Sequence, residues 1–200
     1  MSITLDEEID LMPNVDDELL YKAAVYESAI KDMAVNKSDL TLFNSGAENA
    51  VIVLENILLQ SKQINIFAGN FHKEVCDDST KRFEKALTQF LLNNGSISVI
   101  LNDYDASKNI KNNILDTLKQ YSASKTYRNN IQVRTTSEKP TIENREVHYT
   151  TGDGSMYRLE YDTKEFKAQF CFNDTIVSQQ LNERFLKSFA KAIPLELRPA

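Results

Sequence analysis

The residues able to do chemistry in this sequence gather in one stretch, EVHYTTGDGSMYRLEYD, which carries His148, Arg158 and Glu160 around a glycine-bracketed Asp153. A histidine can act as a nucleophile or as a general base. Arg158 offers a planar, two-pronged donor for a phosphate or a carboxylate. Glu160 could orient the imidazole or pair with Arg158. A plainer reading is equally physical: a hydrogen-bonded strand histidine beside a structural salt bridge. Asp153 and Asn173, the latter in the run CFNDT, are the further candidates for ligand contact. Asp174 or Thr175 could simply cap the helix that follows.

Turn parity decides whether these side chains can meet. With an odd loop such as Gly152-Asp153-Gly154, His148 stands opposite Arg158 and shares its face. With a two-residue Asp153-Gly154 turn, His148 stands opposite Leu159, and Arg158 and Glu160 point the other way. Gly152 and Gly154 both tolerate positive φ, so the sequence allows either.

The remaining polar candidates are weaker. His72 and Lys73 follow an apolar run, where sites in α/β sheets are often built, but a histidine in GNFHK reads equally as a surface residue. Asp103 and Asp105 have a spacing that could hold a metal, with no third ligand nearby. No metal site and no cofactor is expected. No P-loop, GxGxxG, GxSxG or HExxH occurs. Cys76 and Cys171 lie far apart and outside any CxxC pair, so the expectation is free thiols rather than a disulfide framework or a zinc site.

The elements that must position these residues can be read from periodicity. Two hundred residues, 42% hydrophobic and 26% charged, suit one domain with an appendage. We expect an acidic N-terminal extension over residues 1–40, loosely packed to about residue 15, with a helix from Asp16 or Asp17 to Val35. The domain proper spans 41–200. After a connector over 36–44, Ser45 and Glu48 form a capping box for a helix reaching Ser61. A buried strand follows at Gln63–Ala68, then a periodic helix at Ser79–Asn93, a second buried strand at Ser96–Leu101, a helix at Ser107–Ser122 and a strand at Ile131–Thr135. The pattern then changes to a hairpin, Arg145–Thr151 and Met156–Tyr161. A strand at Glu165–Phe172, with Phe166, Ala168, Phe170 and Phe172 on one face, precedes a last helix at Thr175–Ala192 that Pro194 ends. This order predicts an α/β fold: a mixed, mainly parallel sheet with helices on both faces, plus the N-terminal helix.

That order, with the stretch EVHYTTGDGSMYRLEYDTKEFKAQFCFNDTIVSQQLNERF, resembles one half of the phospholipase D superfamily fold over roughly Ala47 to Ala192. The family signature is H-x-K-x-x-x-x-D. Here the histidine is kept as His148, the lysine position falls on Thr150 and the aspartate position on Ser155, with Asp153 nearby but out of register. The missing lysine is the charge that would hold phosphate beside the histidine.

The resemblance implies two functions of different kinds. One is a catalytically degenerate phospholipase D-like domain acting as a binding, regulatory or assembly module. The other is a divergent phosphodiesterase or nuclease in which His148 is the nucleophile and Arg158 replaces the lost lysine. An enzyme with a single half-motif needs a homodimer, so that two histidines meet across a two-fold axis. A phosphate-containing ligand is a candidate partner, and a phosphate-ligand sensor without turnover is a third reading. The net charge of −6 and pI near 5.1 oppose broad non-specific nucleic-acid contact. No apolar run reaches the ~20 residues of a membrane helix, and the acidic N-terminus lacks a signal pattern, so a cytoplasmic location is expected.

Overall fold

The computed structural model describes residues 15–71, 81–102, 104 and 113–197. His72, Lys73, Cys76, Asp103 and Asp105 lie outside the described residues, as do residues 1–14.

The long helix α1 (Val15–Val35) is followed by β1 (Leu42–Asn44), α2 (Ala47–Gln60), β2 (Gln63–Ala68), α3 (Arg82–Leu92), β3 (Ser96–Leu101), α4 (Asn113–Ser122) and β4 (Ile131–Thr135). A small hairpin, β5 (Thr141–Ile142) and β6 (Arg145–Glu146), leads to β7 (His148–Gly152), β8 (Met156–Asp162) and β9 (Lys167–Cys171). Helix α5 (Thr175–Lys191) and β10 (Ile193–Pro194) complete the fold. Eight strands form one sheet in the order β1-β9-β8-β7-β2-β3-β4-β10. β2, β3 and β4 run parallel, and every other neighbouring pair in this sheet is antiparallel. The two short, mostly buried runs β2 and β3 are central and parallel, as burial on both faces favours.

Alternation along these strands sends side chains into two cores. Ile64 and Ile66, Ile97 and Val99, Ile131 and Val133, and Phe170 pack under α1, α2, α3 and α4. Phe67, Ile100, Tyr149, Tyr157 and Cys171 pack on the other face against Leu181 and Phe185 of α5. Helix α3 shows the cleanest periodicity, burying Phe83, Ala86, Leu87, Phe90 and Leu91 on one stripe. Helix α1 joins the first core through Ile30 and Ala34, which are 1% and 0% exposed. It is clamped there by Arg82, whose Nη1 donates to Glu27 at 2.8 Å and whose Nε donates to Glu55 at 2.9 Å.

Several local expectations are corrected. The expected connector contains β1, an edge strand that pairs with β9. No capping box forms at Ser45: the N-cap of α2 is Gly46, at φ 81°, with no side-chain cap. The chain has to turn sharply out of β1 there, and the Gly46 N–H donates to the Glu165 carbonyl. The first hairpin strand begins at His148 rather than Arg145, because Arg145 and Glu146 pair with Ile142 and Thr141. Phe166 leaves the expected stripe, since its φ of 52° makes it the last residue of the turn before β9. Helix α5 stops at Lys191, and Ile193 and Pro194 add an edge strand beside β4. The first part of the helix expected from Ser107 lies outside the described residues.

Candidate functional site

Strands β7 and β8 are joined by the three residues Asp153, Gly154 and Ser155, with Gly152 paired to Met156. The odd loop puts His148, Arg158 and Glu160 on one face. The loop starts one residue later than Gly152, so His148 stands opposite Glu160, and Arg158 stands opposite Thr150. The turn needs left-handed backbone at Asp153 (φ 49°) and Gly154 (φ 69°). Gly152 packs so closely on Ser61 and Ile57 that a side chain there would displace them.

The three residues form one chain of contacts on the α2 side of the sheet. His148 Nδ1 lies 3.3 Å from Glu160 Oε1, and Arg158 Nη1 donates to Glu160 Oε2 at 2.7 Å. Arg158 Nη2 donates to the Phe166 carbonyl at 3.1 Å. His148, Arg158 and Glu160 are all buried, at 8%, 5% and 5% exposure. Burial pushes the Glu160 carboxyl up, but His148 and Arg158 outweigh it and hold the group below the ordinary glutamate range.

The outward side of His148 carries a second carboxylate. Glu146 Oε1 lies 3.8 Å from His148 Nε2. Glu146 also takes a hydrogen bond from Lys139 Nζ at 2.8 Å and a longer one from Asn102 Nδ2 at 3.4 Å. These residues meet at the C-terminal ends of β2 and β3, where the Asn102 N–H donates to the Ala68 carbonyl and where α/β sheets commonly build their sites. Glu146 was readable in the sequence: it precedes His148 by two residues, the strand period that places side chains on one face. Nothing in the sequence marked the Phe166 carbonyl or Lys139.

Asp153 and Asn173 are not brought to this cluster. Both lie at the hairpin end of the sheet, roughly 13 Å away by strand rise from His148 to Gly152. Asp153 uses its carboxylate to accept the N–H groups of Lys62 and Gln63, at 2.8 and 2.7 Å, which ties the hairpin tip to the start of β2. Asn173 is exposed and precedes Asp174, the N-cap of α5, whose side chain accepts from Val177 N. Among the described residues no cluster of three or more His, Cys, Asp or Glu could hold a metal ion, and no helix is long and apolar enough to cross a membrane.

No protein-family model matches the chain, and no curated protein matches it in sequence. Solved structures do match. The archaeal chromatin protein TrmBL2, described for its novel mode of DNA binding, superposes with a TM-score of 0.53 at 15% identity over 90% of this chain. This chain spans 65% of the TrmBL2 chain. Nuc from Salmonella typhimurium, a phospholipase D family member, superposes with a TM-score of 0.52 at 10% identity, over 80% of this chain and 99% of its own. Identities this low speak for the backbone only: the chain has a mixed α/β fold of the phospholipase D type.

Proposed function

We propose that this chain is a catalytically degenerate phospholipase D-like domain that binds without cleaving and serves as a binding, regulatory or assembly module. In this reading residues 1–40 are an acidic extension with one helix, and residues 41–200 are the phospholipase D-like domain. The observation that carries it is the Glu146 carboxylate, 3.8 Å from His148 Nε2. That nitrogen is the one a phosphorus atom would have to meet, because Nδ1 faces Glu160. A phosphate meeting that nitrogen would stand beside the Glu146 carboxylate, and like charges repel. Lys139 offsets only part of this, since its side chain is 53% exposed and screened by solvent. The signature lysine is Thr150, and both terminal nitrogens of Arg158 are already committed. The TrmBL2 likeness is consistent with this use of the fold, although the net charge of −6 here argues against broad DNA contact.

Titration with inorganic phosphate, followed through the imidazole nitrogen resonances of His148, tests the reading. No saturable shift is expected up to tens of millimolar, whereas saturation in the low millimolar range would overturn it.

Two observations favour a second reading, the divergent homodimeric phosphodiesterase or nuclease. Arg158 stands directly across from Thr150, the lysine position, in the β7–β8 register. Glu160 also holds the imidazole as a carboxylate holds a catalytic histidine. Two copies of His148, one as nucleophile and one as general acid, would then meet across a two-fold axis.

A further inference from the structure

On the face of the sheet opposite His148, a cavity of about 250 Å³ opens between β5, β7 and α5. Its lining divides by chemistry. Pro140, Ile142, Val147 and Tyr149 are the apolar part, and the last three pack with the second core. The polar part is Thr141 together with Arg184, Lys187 and Ser188 of α5, whose three- and four-residue spacing puts them on one side of that helix. The space exceeds the roughly 150 Å³ that accepts a benzene ring in an engineered apolar cavity.

The charge here is one-sided. Arg184 and Lys187 are exposed, so a solute can reach them. No carboxylate lines the cavity, and neither cation forms an ion pair among the described residues. In a chain of net charge −6 this wall runs against the average surface. Arg184 is also held in place, because its Nη1 donates to the Thr141 carbonyl at 3.3 Å. That leaves Nε and Nη2, the edge of the guanidinium that grips a carboxylate or phosphate with two parallel bonds. A donor fixed before binding loses less entropy on binding. A cationic ligand is repelled by the two side chains. A wholly apolar one leaves both cations unused, and a bare inorganic anion leaves the apolar lining uncovered.

We infer that this cavity binds a small molecule with an apolar or aromatic body and an anionic head, either a carboxylate or a phosphate. Arg184 and Lys187 hold the head, and Ile142, Val147 and Tyr149 seat the body. A few placed polar groups over an apolar lining is the usual composition of a small-molecule site. The site is separate from His148 and stands under either reading of that histidine.

The test follows the methyl resonances of Ile142 and Val147 with four probes: benzoate, phenyl phosphate, benzyl alcohol and inorganic phosphate. Saturable shifts are expected with benzoate, phenyl phosphate or both, and the tighter of the two names the head. Benzyl alcohol, which lacks the charge, and inorganic phosphate, which lacks the body, should each bind at least roughly tenfold more weakly. The double variant Arg184→Gln/Lys187→Gln should weaken the tighter probe by roughly tenfold or more. Lys187→Gln alone, which keeps the Arg184 contact to Thr141, should weaken it by a smaller factor. No saturable shift with either organic anion, or unchanged affinity in the double variant, would overturn the inference. Binding of benzyl alcohol or inorganic phosphate as tight as that of the organic anions would overturn it as well.

Discussion

Glu160→Leu is expected to destabilise the protein by about 3–5 kcal/mol, the usual result of stranding one partner of a buried ion pair. The substitution leaves the Arg158 guanidinium, 5% exposed, without the carboxylate that now accepts its Nη1 at 2.7 Å. It also removes the group facing His148 Nδ1. The paired variant Arg158→Met/Glu160→Leu should lose far less, because an apolar pair of similar volume avoids the desolvation of both charges. Urea unfolding of the two single variants and the pair measures the difference as a double-mutant cycle. The pH dependence follows from the depressed Glu160 carboxyl. A carboxyl whose folded value lies below its unfolded value contributes stability above the unfolded value and loses it as pH falls through the folded one. The stabilisation that Glu160 provides should therefore be intact at neutral pH and fade below the ordinary glutamate range, near pH 4.5. A Glu160→Leu variant within 1 kcal/mol of the unaltered protein would show that the pair does not hold this part of the sheet.

Removal of residues 1–35 should lower the melting temperature by on the order of 10 °C, and should reduce solubility. Ile30 and Ala34 are fully buried against the first core. Losing a buried Ile costs about 2–5 kcal/mol, and about 1 kcal/mol moves the midpoint of a domain this size by roughly 2–4 °C. The truncation also takes away Glu27, one of two carboxylates gripping Arg82 at the start of α3. Removal of residues 1–15 alone should leave the midpoint nearly unchanged, because the acidic run of Asp6, Glu7, Glu8 and Asp10 opposes its packing on a protein of net charge −6. Equal melting temperatures for the two truncated forms would show that α1 does not stabilise the domain.

The sequence made the frame legible wherever burial leaves a strong pattern. Runs such as QINIFA and SISVIL are short and carry apolar residues on both sides, so they read as buried strands, and the Phe83-to-Leu91 stripe reads as a helix. Elements whose stability comes from distant partners were not legible. The three residues of β1 carry little strand signal and gain their structure from β9. The turn at Gly46 is set by the Glu165 carbonyl, a backbone group that no residue type announces. The same limits apply at the site. Two glycines around Asp153 made an odd loop available, but its exact frame depended on Asp153 bonding to Lys62 and Gln63, some ninety residues earlier in the chain. That frame decided that Glu160, and not Arg158, would face His148. Glu146 could be read from its two-residue spacing to His148, but the small β5–β6 hairpin that carries it could not, because the expected strand began at Arg145.

Whether His148 breaks phosphodiesters decides between the two readings. Purified protein should be incubated with bis(p-nitrophenyl) phosphate and with single-stranded DNA in the presence of a chelator, alongside His148→Ala. No cleavage above buffer is expected from either protein, with His148→Ala folding normally and costing on the order of 1 kcal/mol of stability. Metal-independent cleavage by the unaltered protein that disappears in His148→Ala would contradict the binding-module reading and establish the histidine as a nucleophile.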